Sequence, residues 1–221
     1  DKLISPVYLR LTSTDYENVM GEYYDWYDKN PEESKSLTVQ FTKLTKVRQI
    51  IADEKVIHTI EIAKNTIEQG KKVIIFCNFT ESLNKIVEFF GKEAVKLDGS
   101  MSKKDRQKSV DSFQENDKVK VFVGNIKAAG VGITLTKGEV VIMNDLSFVP
   151  SDHLQAEDRA YRFGQKNNVI VYYPLFDNTI EGIIYDILNS KKQVISKVMG
   201  DEMDQGDTAQ QILKKINEKR K

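Results

Sequence analysis

The chain is poor in cysteine, histidine and proline. One cysteine in 221 residues, Cys77, excludes a disulfide framework and a cysteine-based zinc site. Two distant histidines, His58 and His153, offer no imidazole cluster for a metal. Four prolines leave no Pro-rich linker. No run of 18 apolar residues exists, so no membrane-spanning helix is expected. An excess of one charge is also missing. Lys and Arg number 33, as do Asp and Glu, so any basic surface must be local. What is present is an ordinary globular composition, 40% hydrophobic and 30% charged, in a chain long enough to bury a core without staples.

The hydrophobic pattern divides the chain. A short alternating strand is predicted over 6–12, then helices over 14–29, 37–51 and 53–69. The first of these carries Tyr23, Tyr24, Trp26 and Tyr27, for which packing is favoured over a stacking platform. From residue 72 the texture changes. Apolar runs over 72–77, 94–97, 119–123, 140–144 and 169–176 read as strands, with helices between them over 80–90, 102–114 and 152–163. A closing helix spans about 179–199. Strands alternating with helices predict an α/β fold with a parallel sheet and helices on both faces. In such sheets the loops after the strands carry the chemistry. Residues 201–221, four acids followed by a basic end, read as a mobile charged tail. The start at Asp1, without a signal-peptide pattern, reads as a piece of something longer.

Three stretches could carry chemistry. Gln155, Asp158, Arg159 and Arg162 fall at i, i+3, i+4 and i+7 of a helix, so two guanidiniums share one face. Paired Arg forks suit a phosphate group, against the simpler reading of a solvated face with a weak Asp–Arg pair. Ala128 to Leu135 places Gly130 and Gly132 after a buried strand, where a tight turn explains them as well as a phosphate contact does. Ser100, Ser102, Lys103, Lys104, Arg106 and Lys108 surround a helix start, either a phosphodiester cradle or a capped, solvated turn. A phosphate-binding loop of the form GxxxxGK followed by Ser or Thr is lacking: both Gly70-Lys71-Lys72 and Gly91-Lys92-Glu93 lack the hydroxyl. This chain alone cannot build a complete ATP site.

Taken in order, the segments resemble the second RecA-like lobe of the Swi/Snf-type ATPases of helicase superfamily two. Residues 73–90 are similar to motif IV, 97–113 to the segment after it and 121–135 to motif V. Residues 155–165 match motif VI, Q-A-x-D-R-x-x-R-x-G-Q. The resemblance covers about 50–200, and its details lean toward the branch of annealing-helicase-like fork remodelers. It implies a domain plan: an N-terminal extension over 1–52 linking to a missing first lobe, the helicase C-terminal lobe over 53–200, and the tail over 201–221.

The resemblance also implies roles. Arg159 and Arg162 would be arginine fingers, with Gln155 assisting. Gly130, Gly132 and Asp158 would border the nucleotide. Asn78, Ser100, Arg106, Asn125 and Lys127 would touch the DNA backbone. ATP with Mg would be held mainly by the first lobe, and the partners would be double-stranded DNA and that lobe. The isolated fragment is expected to be monomeric and inactive in hydrolysis. Asn125, Tyr161 and Phe163 depart from the family's usual Ser or Thr, His and Ile. A strand-separating helicase lobe and a degenerate, non-catalytic interaction domain remain alternatives. The compartment would be cytoplasm for a bacterial or phage source, favoured by the abundance of Lys, Ile and Asn, and nucleus for a eukaryotic one.

Overall fold

The computed structural model describes residues 1–128, 132–197 and 205–220. Six strands form one sheet: β1 (Lys2–Leu9), β2 (Lys72–Cys77), β3 (Ala94–Leu97), β4 (Val121–Asn125), β5 (Gly138–Met143) and β6 (Val169–Phe176), in the order β1-β6-β5-β2-β4-β3. The pairings of β2 with β4 and β5, of β3 with β4 and of β5 with β6 are parallel. The Val169 N–H donates to the Asp1 carbonyl and the Asp177 N–H to that of Leu9, which sets β1 parallel to β6. Every residue of β2 is buried, as a central strand covered on both faces requires. β1 carries Pro6 and lies at the edge, where a missing N–H is tolerated.

Seven α-helices occur among the described residues: α1 (Asp15–Lys29), α2 (Leu37–Glu68), α3 (Thr80–Phe90), α4 (Lys103–Glu115), α5 (Pro150–Ala160), α6 (Ile180–Lys197) and α7 (Gln205–Glu218). The architecture is the parallel α/β fold that the sequence pattern predicts, and it agrees with the RecA-like lobe that the resemblance implies. Several elements differ from expectation. The strand predicted over 6–12 is β1 over Lys2–Leu9, where the Val169 N–H carries the pairing back to Asp1, and β4 and β5 are displaced by one or two residues from 119–123 and 140–144. The helices predicted over 37–51 and 53–69 are a single helix, α2, because the junction residue Ala52 is a strong helix former and is fully buried. Residues 205–218, expected within a mobile tail, form α7. Thr208, Ile212, Leu213 and Ile216 recur at helical spacing and are buried, an apolar stripe obscured by the surrounding charges.

The chain divides into two compact units. One comprises 1–8, 52–147 and 151–175 and holds the sheet. Its core includes Val73, Ile75, Leu83, Ile86, Val121, Val123 and Ile142. The other comprises 9–51, 148–150 and 176–221. There the Tyr16 hydroxyl accepts the Ile180 N–H at 3.0 Å, and the Tyr23 hydroxyl donates to Gln40 at 3.2 Å and Asn217 at 3.1 Å. The aromatic cluster of α1 is packing, with Tyr23 buried. Helix α6, expected to close the lobe over 53–200, belongs to this second unit.

Candidate functional site

The parallel strands end at a common edge. Cys77 is level with Asn125 and Leu97 with Gly124, so the loops after β2, β3 and β4 are neighbours. The Asn78 N–H donates to Asp145, which follows β5. Asn125 spends its side chain on local structure. Its amide donates to the Asn78 carbonyl at 3.2 Å, and its Oδ1 accepts the N–H groups of Lys127 and Ala128 at 3.1 and 3.2 Å. This is an Asx-type turn, which leaves the Lys127 side chain exposed. Beneath it, buried Asn144 accepts the Thr59 hydroxyl at 2.7 Å and donates to the Ala52 carbonyl at 3.1 Å.

The loop after β3 is braced in the same way. Buried Asp98 accepts both the N–H and the hydroxyl of Ser100 and pairs with Lys96 at 3.1 Å. The Ser100 hydroxyl, and after it the Lys96 bond, more than offset burial and hold this carboxyl below its ordinary value. Arg106 turns back on the loop, with Nε on the Met101 carbonyl at 3.1 Å and Nη2 on that of Gly99 at 3.0 Å. Ser102 caps α4, its hydroxyl accepting the Asp105 N–H at 3.2 Å and donating to the Asp105 carboxylate at 2.7 Å. The structure therefore brings Asn78, Asn125 and Lys127 into one loop cluster, with Ser100 and Arg106 together in the loop after β3. The polar ends of Ser100, Arg106 and Asn125 bond within the chain. Lys103, Lys104 and Lys108 remain exposed on α4.

The arginines lie elsewhere. Helix α5 leaves the end of β5 and returns the chain to the start of β6, so its last turn is at the opposite end of the strands from the loops above. It also stops at Ala160, earlier than predicted. Arg162 therefore lies beyond the helix, and the shared face extends only through Arg159. The two side chains still converge, by a different route. Arg159 Nη1 donates to the Ile133 carbonyl at 3.3 Å, and Arg162 Nη1 to the same oxygen at 3.4 Å and to the Thr134 hydroxyl at 3.3 Å. The Leu135 N–H closes the arrangement on the Arg159 carbonyl at 2.9 Å. Arg159 is buried and Arg162 exposed. Burial, and then the Arg162 charge, lower the Arg159 pKa from its ordinary value, while a guanidinium keeps its charge throughout the working pH range.

The other motif VI candidates have distinct places. Gln155 is exposed one turn before Arg159. Asp158 is paired with Lys2 at 3.1 Å. Lys2 also binds Glu157 at 3.1 Å, and Glu157 accepts the Tyr173 hydroxyl at 2.6 Å. Desolvation opposes the Lys2 charge, but the two carboxylates overcome it and raise its pKa. Gly132 adopts φ of 72°, a conformation that favours glycine. Gly130 lies outside the described residues. Sequence reasoning missed Gln165 as a brace. Its amide donates to the carbonyls of Gly138 at 3.0 Å and Ala160 at 3.2 Å, tying the end of α5 to the start of β5. It missed the Lys2–Glu157–Tyr173 link too, because partners 155 and 16 residues apart leave no local pattern. Among the described residues no group of three or more His, Cys, Asp or Glu converges as a metal site. No helix of the described residues is long and apolar enough to cross a membrane.

Comparison with known proteins agrees with this fold. The chain is 36% identical over 149 residues to the ATP-dependent helicase fft2 of Schizosaccharomyces pombe, covering 66% of this chain and 12% of that protein. It thus spans about an eighth of that relative's length. The C-terminal domain of the Sulfolobus solfataricus SWI2/SNF2 ATPase superimposes with a TM-score of 0.70 at 25% identity, covering 96% of this chain and 93% of that one. The ATPase core of the Sulfolobus solfataricus SWI2/SNF2 protein, solved in complex with double-stranded DNA, gives 0.73 at 29% identity over 90% of this chain and 46% of that one. Residues 52–164 match the helicase conserved C-terminal domain, and the chain belongs to that family as a C-terminal lobe of the Swi2/Snf2 type.

Proposed function

We propose that this lobe is the second half of an ATP-dependent motor that moves along double-stranded DNA. The observation that carries the reading is the convergence of Arg159 and Arg162 in a chain with no phosphate-binding loop of its own. Two cationic forks beside each other, without the loop that would hold a triphosphate, fit a reaction shared with another lobe. A first RecA-like lobe would bind ATP and its Mg ion, and closure would bring the guanidiniums to the developing phosphate charge. Magnesium would supply charge neutralisation there. This chain offers it no acidic cluster among the described residues.

The loops after β2, β3 and β4, with Lys127 and the lysines of α4, would grip the phosphate backbone. Backbone N–H groups and mobile ammonium groups read no base, so the grip would be independent of sequence and sensitive to salt. The relative solved with double-stranded DNA supports that choice of partner. Because the arginines and the gripping loops are on different ends of the strands, closure at one would be transmitted to the other through the rigid sheet. Alone, the lobe would hydrolyse essentially nothing.

The test is phosphate release by the parent chain with and without duplex, beside Arg162→Ala. Duplex-stimulated hydrolysis that falls about 10³-fold or more in the variant is the expected result. Hydrolysis indifferent to Arg162 would sink the reading.

A further inference from the structure

The segment 161–165 displays an aromatic ring with unusual completeness. Phe163 is 106% exposed, the highest value among the large hydrophobic side chains of the described residues, and Tyr161 is 43% exposed. The ring is not on a frayed end. The Gln165 N–H donates to the Arg162 carbonyl at 2.9 Å, closing a β-turn with Phe163 and Gly164 at its corners. Gly164 has φ of 101°, which the third position of a type II turn requires. The Gln165 amide then fastens the turn to Ala160 and Gly138, and its Oε1 accepts the Asn167 N–H at 3.0 Å. A single exposed ring is ordinary on a protein surface, but one fixed on a braced turn next to Arg162 offers apolar area for a facing surface to bury.

We infer that Phe163 is an apolar anchor that inserts into the first RecA-like lobe when the two lobes close. The inference rests on the reading that Arg159 and Arg162 act on a nucleotide held by that lobe. If they do, the surface around them must meet it, and Phe163 is the next residue after Arg162. The bonds of Arg162 to Ile133 and Thr134, at 3.3–3.4 Å, leave the arm free to be redirected. The ring and the guanidinium then divide the work. The ring supplies area buried only in the closed state, and the fork supplies charge at the phosphate. Closure acquires an apolar component that salt does not screen, beside an electrostatic one dependent on nucleotide.

The experiment uses the full parent chain with one fluorophore on each lobe, reporting closure on addition of a non-hydrolysable ATP analogue and duplex. Phe163→Ala should shift the closing equilibrium toward the open state by roughly tenfold or more. Phe163→Leu should restore most of the closure. The thermal midpoint of the chain should be unchanged, since the ring is fully exposed in the lobe. Closure of Phe163→Ala equal to that of the parent overturns the inference. So does a raised KM for ATP with unchanged closure, which would place the ring on the nucleotide instead. Arg162→Ala separates the two readings. If it still hydrolyses ATP, the arginine assignment has failed and the anchor fails with it. If it is inactive while Phe163→Ala closes normally, only the anchor has failed.

Discussion

The loop edge and the arginine corner are both polar, yet they are held in opposite ways. At the edge Asn125, Ser100 and Arg106 are committed to groups within their own loops. Asn125 builds a turn, Ser100 is clasped by Asp98, and Arg106 carries the carbonyls of Gly99 and Met101. At the corner two guanidiniums share the Ile133 carbonyl at 3.3–3.4 Å, long bonds for charged donors. The edge presents a fixed surface, suited to a ligand that repeats. The corner presents one exposed arm, Arg162, held by long bonds beside the buried Arg159. Side chains named as ligands by a motif can thus act first as scaffolding. The surface they support is then made by backbone N–H groups and neighbouring lysines.

The sharpest way to break this comparison is at the corner. Arg162→Lys in the parent chain should lose nearly as much hydrolysis as Arg162→Ala, because an ammonium cannot present the guanidinium fork. Rates within tenfold of the parent, in a steady-state assay, would mean that point charge suffices. Next in size is Asn144→Ala, which removes the bonds from Thr59 and to Ala52 beneath the edge. Stranding those buried groups should cost about 2–3 kcal/mol of unfolding free energy, read by denaturant titration of the lobe. Asn125→Ala should unmake the turn at Lys127 and weaken duplex binding by about fivefold, leaving DNA-independent hydrolysis unchanged. Equal loss of both activities would show that the edge and the corner are not separable.

Asp98 sharpens the contrast through pH. Its folded pKa is depressed, chiefly by the Ser100 hydroxyl, so its contribution is present above the ordinary carboxylate value. It should be lost as pH falls below about 4 toward the folded value. Asp98→Asn should flatten that acid limb of the stability curve, measured by thermal melts across pH. The smallest effect belongs to Lys127→Ala. Duplex affinity should drop uniformly over sequences, and the salt dependence of log K should shrink by about one unit of slope.

Much of the sheet was legible because its segments are strongly patterned. The strands over 72–77, 94–97 and 169–176 match the observed elements residue for residue, while the helix through Phe90, for which Thr80 is the expected cap, starts at Thr80 itself with Phe79 at the cap. β4 ends two residues beyond the predicted strand, which makes Asn125 the last strand residue and the anchor of the turn. The arginines were found by a helical spacing that the folded helix does not keep, since α5 stops at Ala160. Their convergence depends instead on Ile133 and Thr134, 26 to 29 residues away along the chain. Helix α7 was missed because its apolar residues are few and sit among charged and amide side chains.

The sequence by itself determined the parallel α/β sheet, the order of its elements and the presence of two arginine forks without a phosphate-binding loop. These follow from local periodicity and residue chemistry, which need no partner to be read. The tertiary structure decided which polar groups are committed and which are on offer. It paired Glu157 with Lys2 and Tyr173, turned Arg106 inward and left Phe163 bare. A hydrogen bond between distant residues has no period in the chain, so only the folded backbone could specify it.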